Sequence, residues 1–148
     1  MGASGESSVD RLAERDEPMT VARVVPIIRV TDMRSAIDFY GSKLGFVTEF
    51  QYSAGPGGPW YAGLSLDGNH IHLSTFAGDG AFGTVVYCNV DDVDVLFDQF
   101  RRAGLKVPGK PESPVEGGPV NQTWGMREVY VRDPDGNTLR FGSRIPLD

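Results

Sequence analysis

One short sequence motif occurs twice in the chain, and this repeat limits the folds that the chain can adopt. Residues 67–73, which start with Asp-Gly-Asn, are echoed 68 positions later by residues 135–141. A second echo, at an offset of 60, relates residues 30–33 to residues 90–93. Asp-Gly and Gly-Asn pairs supply the positive φ angles of tight turns between strands, and an Asp after Val-x is typical of a helix start. The sequence therefore predicts two copies of one unit, related by a pseudo-twofold axis.

Each copy predicts the element order β-α-β-β-β. In the first copy, Asp32 caps the helix and Gly45 ends it; in the second, Asp91 or Asp92 and Gly104 do so. The predicted strands cover residues 21–30, 46–52, 60–66, 70–76, 83–90, 126–132 and 138–143, and in the second copy residues 105–108 continue into a Pro/Gly-rich stretch at 108–119. We therefore predict a single α+β domain over residues 21–148, with modules 21–80 and 81–148 that form a curved mixed sheet around a cleft.

Charge and composition exclude several classes of function. The net charge of −6 divides into −3 for residues 1–20 and −3 for the rest, so the domain lacks the basic surface of a nucleic-acid-binding protein. No apolar run approaches the roughly 20 residues that a membrane span needs. A single cysteine, Cys88, excludes an internal disulfide and favours a cytoplasmic location. The polar residues 1–20 are predicted to be a flexible arm, in which Met19 is an alternative start to Met1.

Three phrases carry a resemblance to a known superfamily. They are Val-Pro-Ile at 25–27, Ala-Ile-Asp-Phe-Tyr leading to Leu-Gly-Phe over 36–46, and Trp124-Gly125 followed by Arg127-Glu128 and Arg-Asp-Pro-Asp-Gly-Asn at 132–137. The chain resembles the vicinal oxygen chelate superfamily (glyoxalase, bleomycin resistance protein, dioxygenase), and within it the bleomycin-resistance branch. The likeness covers roughly residues 24–143. The Asp-Pro-Asp-Gly-Asn turn is common to the superfamily, whereas the Trp-Gly pair is more specific.

Enzymes of this superfamily hold a divalent metal at four strand positions, which the resemblance carries to Val25, His72, Val85 and Arg140. The repeat supports this assignment, because the first and third are 60 apart and the second and fourth are 68 apart. One imidazole, two aliphatic groups and a guanidinium are a poor ligand set, since arginine stays protonated. We therefore predict no metal and no cofactor. His70 is expected to point away from His72 and not to complete a site.

The resemblance also implies where a ligand binds. Trp124 and the aromatic ring of Phe50 would stack on a planar ligand, and strand alternation adds further residues. The predicted ligand-binding residues are Trp124, Phe50, Trp60, His72, Phe76, Tyr87, Glu128, Tyr130 and Arg140. Alternatives remain open: Trp124 can pack in the core or in a dimer, Phe50 and Trp60 can be packing residues, and Arg140 can pair with Glu128. No catalytic residue is predicted.

The resulting prediction is a metal-free, cytoplasmic binding protein. It would sequester a planar aromatic, cationic antibiotic of the bleomycin type as a C2 homodimer, and the resemblance allows an exchange of the N-terminal strands between subunits. The alternative is an enzyme of the same fold that acts on a small molecule. It would be either a metal-dependent lyase, isomerase or dioxygenase with unexpected ligands, or a metal-free enzyme with His72 or Glu128 as a base. A third hypothesis is a protein-interaction or regulatory module.

Overall fold

A computed structural model describes residues 18–109 and 112–147. The predicted arm therefore lies outside the described residues, except for residues 18–20. The strands are β1 (Ile27–Arg29), β2 (Val47–Ser53), β3 (Trp60–Leu66), β4 (Asn69–Ser74), β5 (Val85–Asn89), β6 (Val120–Asn121), β7 (Met126–Arg132) and β8 (Thr138–Arg144). The helices are α1 (Met33–Ile37), which continues as a π-helical segment (Asp38–Lys43), α2 (Val93–Arg102) and a 3-10 helix (Pro114–Glu116).

The strands form two four-stranded mixed sheets with the same topology. Their orders are β1-β4-β3-β2 and β5-β8-β7-β6, and each contains one parallel pair. In the first sheet Ile27 pairs with His72, and in the second Tyr87 pairs with Arg140. These two pairs differ by the offsets of 60 and 68 found in the sequence. The α+β fold class with two repeated β-α-β-β-β modules is confirmed.

Local signals in the sequence set the helix boundaries. The carboxylate of Asp32 accepts a hydrogen bond from the amide of Ser35 at 2.9 Å, and Asp92 caps α2 in the same way. Gly45 and Gly104 follow the two helical segments with φ angles of 89° and 102°, which a residue with a Cβ rarely adopts. The caps and stops predicted from the sequence are therefore confirmed, with Asp92 the cap of the second helix.

Two strands keep their predicted bounds, whereas the first strand is much shorter than predicted. β3 and β7 span residues 60–66 and 126–132, as expected. β1 covers only Ile27–Arg29 instead of residues 21–30. Pro26 has no amide proton, so it cannot donate to a ladder, although its carbonyl accepts from His72. Within the described part of the chain, residues 18–24 belong to no strand and stay exposed, and Val25 is half-buried.

The turn between β7 and β8 joins the two modules. Asn137 is 1% exposed, and its side chain bonds the amides of Gly83 and Thr84 and the carbonyl of Arg29. The Tyr40 hydroxyl donates to the Asp133 carboxylate at 2.8 Å. Burial, reinforced by that carboxylate, raises the pKa of Tyr40 above its usual range, so the phenol stays protonated. A motif that the sequence explains as a hairpin turn thus also fixes one module against the other.

Candidate functional site

Each sheet has one face packed in the core and one face turned away from it, which we call the open face. On β4, Ile71 and Leu73 are buried and the intervening His72 is partly exposed. On β7, Val129 and Val131 are buried and Tyr130 is partly exposed. This alternation is that of a sheet covered on one side only. Val129 and Val131 therefore face the core, and Glu128 and Tyr130 alternate with them along β7.

Five rings lie together on the open face of the first module. We call them the aromatic cluster: Phe50, Tyr52, Tyr61, His72 and Phe76. The Phe50 ring lies parallel to Tyr61 and edge-on to His72, with centroids 6.3 and 5.4 Å apart, and Tyr52 lies parallel to Phe76 at 6.4 Å. Phe50 and Tyr52 remain 45% and 57% exposed. The cluster is therefore a broad apolar surface with ring faces open for stacking.

His72 is held in a neutral form at the centre of this cluster. Its Nδ1 lies 2.8 Å from the Tyr61 hydroxyl. Desolvation, with smaller effects of His70 and Arg23, lowers the pKa of His72, while desolvation raises the pKa of Tyr61. The imidazole is thus uncharged at neutral pH. The expectation that His70 points away from His72 is wrong, because residues two apart on a strand share a face.

The open face of the second module is organised around a carboxylate. Glu128 is 2% exposed, and its Oε2 accepts hydrogen bonds from the Tyr87 hydroxyl at 2.6 Å and from Trp124 Nε1 at 3.2 Å. Desolvation and the bond to Glu128 raise the pKa of Tyr87 to about 12. Trp124 itself is 60% exposed. Its indole is therefore fixed by its edge while its ring face stays accessible.

Arg140 belongs to the same face but does not pair with Glu128. Its guanidinium carbon lies 4.4 Å from the centroid of the Tyr130 ring, a cation–π geometry. Among the residues that the structure describes, no ion pair joins Arg140 to Glu128. The alternative in which these two charges neutralise each other is thus absent from this structure.

Trp60 is the predicted site residue that the structure places elsewhere. It lies on β3 next to Tyr61, so it points to the opposite face, where it packs against the core. With Ile37 and Thr75 it lines a separate cavity of about 610 Å³ beside α1. The sequence left the orientation of β3 undecided because Pro59 precedes it. With that orientation known, alternation along β3 places Tyr61 on the open face. Tyr52 pairs with Tyr61 in the sheet and lies on the same face. The sequence prediction missed both residues.

The donor set does not fit a divalent metal. Within residues 18–109 and 112–147, no group of three or more His, Cys, Asp or Glu side chains is arranged to hold one. His72 has Ile27 as its strand partner, and Arg140 has Tyr87. Burial raises the pKa of Cys88 to about 11, which disfavours a thiolate ligand. The absence of a bound metal in the protein stays a prediction.

The family model described as the glyoxalase/bleomycin resistance protein/dioxygenase superfamily matches residues 20–141. The chain belongs to this superfamily. No curated protein sequence matches it significantly. In the described part of this member, no helix is long and apolar enough to cross a membrane.

Solved structures of several superfamily proteins share the fold. A bleomycin resistance determinant encoded on transposon Tn5 is 22% identical, with a TM-score of 0.66 over 85% of this chain and 100% of that one. TnmS3, an antibiotic-binding protein of Streptomyces sp. CB03234, is 24% identical, with a TM-score of 0.64 over 86% and 100%. A bleomycin-binding protein complexed with bleomycin is 23% identical, with a TM-score of 0.63 over 84% and 100%. At these identities the likeness establishes the fold alone.

Proposed function

We propose that this superfamily member is a cytoplasmic, non-catalytic protein that sequesters a planar aromatic, cationic antibiotic of the bleomycin type. The observation that carries this proposal is the indole of Trp124, which is 60% exposed yet held in place through its Nε1 by the buried Glu128. A fixed ring with a free face loses little conformational freedom when a planar ligand stacks on it. The names of the bleomycin-binding and antibiotic-binding relatives agree with this function.

The ligand site is proposed to lie between two chains of a C2 homodimer. Four aromatic side chains on the open faces are 42–60% exposed, and a group of large exposed apolar side chains is typical of an interaction surface. They are Phe50, Tyr52, Tyr87 and Trp124. Val21 and Val24 are 79% and 84% exposed in a segment that forms no strand with its own chain. These side chains would be covered if the segment paired with a sheet edge of the partner subunit.

Fluorescence titration with bleomycin tests the binding function. We expect saturable quenching at one ligand per site, and we expect Trp124→Ala to weaken binding by roughly 2–4 kcal/mol, the cost of truncating an aromatic hot spot. Trp60→Phe is the matched control, because Trp60 packs on the core side of its sheet and its loss leaves the open faces intact.

Two results would contradict the proposal. The first is that no member of a panel of planar aromatic antibiotics binds and that Trp124→Ala lowers the melting temperature. This result would show that Trp124 has a structural role. The other, for the assembly, is a monomer at micromolar concentration in sedimentation velocity. If other planar antibiotics bind and bleomycin does not, the proposed ligand is wrong and the proposed binding function stands.

The contact between His72 and Tyr61 favours one alternative, an enzyme of the same fold. An imidazole whose Nδ1 is bonded to the Tyr61 hydroxyl and whose pKa is lowered is uncharged at neutral pH, as a general base must be. This alternative requires that the bound ligand be converted. Mass spectrometry of a bound antibiotic after prolonged incubation distinguishes the two, because sequestration returns it unchanged and catalysis by His72 is lost in His72→Gln.

A further inference from the structure

One carboxylate oxygen on the open face of the second module has no hydrogen-bond partner in the protein. Both hydrogen bonds to Glu128, from Tyr87 and from Trp124, end on Oε2. Oε1 is buried and receives no hydrogen bond from any of the residues that the structure describes. Because an unpaired buried acceptor is costly, a donor that arrives with a ligand would be bound strongly at this atom.

The surroundings of Glu128 specify the charge of that donor. The two groups bonded to Oε2 are a phenol and an indole, which are both neutral and bring no positive charge to the carboxylate. The nearby cation Arg140 lies over the Tyr130 ring and forms no ion pair with Glu128 among the described residues. A positively charged N–H group therefore complements Oε1 better than a neutral one, since charge-assisted hydrogen bonds are the stronger kind.

The position of Trp124 specifies where the cationic group sits on the ligand. The indole nitrogen lies 3.2 Å from Glu128 Oε2, so the carboxylate borders the edge of the stacking surface. A substituent close to an aromatic ring stacked on Trp124 would lie beside this carboxylate. We propose that Glu128 is a specificity-determining residue that selects aromatic ligands with a protonated amine or amidine close to the ring. This inference rests on the proposed function, since both place the ligand on Trp124.

A matched pair of probes tests this selection. The probes are 2-(aminomethyl)naphthalene, protonated at pH 7, and its N-acetyl derivative, which has the same ring and no charge. By calorimetry we expect the wild-type protein to bind the amine about 10-fold or more tightly than the amide. Glu128→Gln keeps an oxygen that can accept from Tyr87 and Trp124, and it should reduce the preference to roughly 2-fold or less. Glu49→Gln is the control, because that carboxylate is exposed and already bonded to Ser65.

A second variant makes the result independent of the folding of Glu128→Gln. Arg140→Gln removes the nearby positive charge, so the ratio of amine affinity to amide affinity should rise above that of the wild type. Equal affinity of wild-type protein for the two probes, or no binding of the amine, would overturn the inference and indicate that water satisfies Oε1. A preference for the amine without any binding of bleomycin would refute the proposed ligand and keep the role of Glu128.

Discussion

The two Asp-Gly-Asn turns of this chain have the same sequence and different structural roles. In the first module, Asn69 is exposed, and its side chain bonds only the nearby carbonyls of Leu66 and Asp67, both at 3.2 Å. In the second module, Asn137 is 1% exposed and bonds residues more than 50 positions away in the chain. The local phrase therefore dictates the turn, and the surroundings decide whether the turn also supports the tertiary structure.

The open faces of the two modules differ in a similar way. Each has an aromatic ring that lies over a strand glycine: Phe50 covers Gly63, and Tyr87 covers Gly142. Phe50 belongs to a cluster of rings, whereas the Tyr87 hydroxyl is bonded to the buried carboxylate of Glu128. The first face is thus suited to apolar stacking, and the second combines stacking with charge. Three pairs of substitutions test the differences between the modules.

The largest effect is expected from the turn of the second module. Asn137→Ala leaves the amides of Gly83 and Thr84 and the carbonyl of Arg29 without their partner, so we expect a loss of about 3 kcal/mol or more in the free energy of unfolding. Asn69→Ala, the matched change in the first module, should cost about 0.5 kcal/mol or less. Urea unfolding measures both. Equal losses in the two variants would refute the distinction between the turns.

A smaller difference is expected between the two glycines under the rings. A Cβ at Gly142 would lie 2.1 Å from the Tyr87 hydroxyl, so Gly142→Ala should displace Tyr87 from Glu128 and cost roughly 2 kcal/mol. Gly63→Ala meets the Phe50 ring at the same distance, but that ring has no hydrogen bond to lose when it turns away, so we expect a cost of about 1 kcal/mol or less. Thermal unfolding with both variants tests this order, and a larger loss in Gly63→Ala would contradict it.

The smallest effect concerns pH and the positions His72 and Arg140, which are equivalent in the two modules. Desolvation lowers the pKa of His72 in the folded protein below its ordinary value of 6.5, so the unfolded chain binds the proton more readily. His72 therefore does not reduce the free energy of unfolding above about pH 7. As the pH falls below 6.5 the unfolded chain takes up the proton, and the free energy of unfolding decreases.

Melting temperatures between pH 5 and 8 provide the measurement. The wild-type protein should lose more stability on acidification than His72→Gln, which has no imidazole at this position. Arg140→Gln is the control, because a guanidinium does not titrate in this range and its pH profile should match that of the wild type. Identical profiles for the wild type and His72→Gln would show that His72 is not desolvated as described.

The sequence alone determined the features that depend on local patterns. Asp32 and Gly45 bounded the first helical segment, and β3 and β7 ended where the alternation of apolar residues and the turn residues predicted. The offsets of 60 and 68 predicted the repeated modules, and alternation along β7 placed Glu128 and Tyr130 on the open face. These features follow from interactions over a few residues, and the local patterns that cause them occur in both copies of the repeat.

Only the tertiary structure decided the remaining features, because they depend on partners distant in the chain. No local pattern indicates that the Asn137 side chain bonds the carbonyl of Arg29. Nor does any local pattern indicate that Glu128 accepts hydrogen bonds from Tyr87 and Trp124. The position of Arg140 over the Tyr130 ring, and not beside Glu128, is likewise set by the fold. The face on which Trp60 lies was equally undecided, since a proline before a strand hides its parity while pairing with a neighbouring strand fixes it. The sequence shows which side chains carry a charge, but only the fold decides which of their atoms have a hydrogen-bond partner.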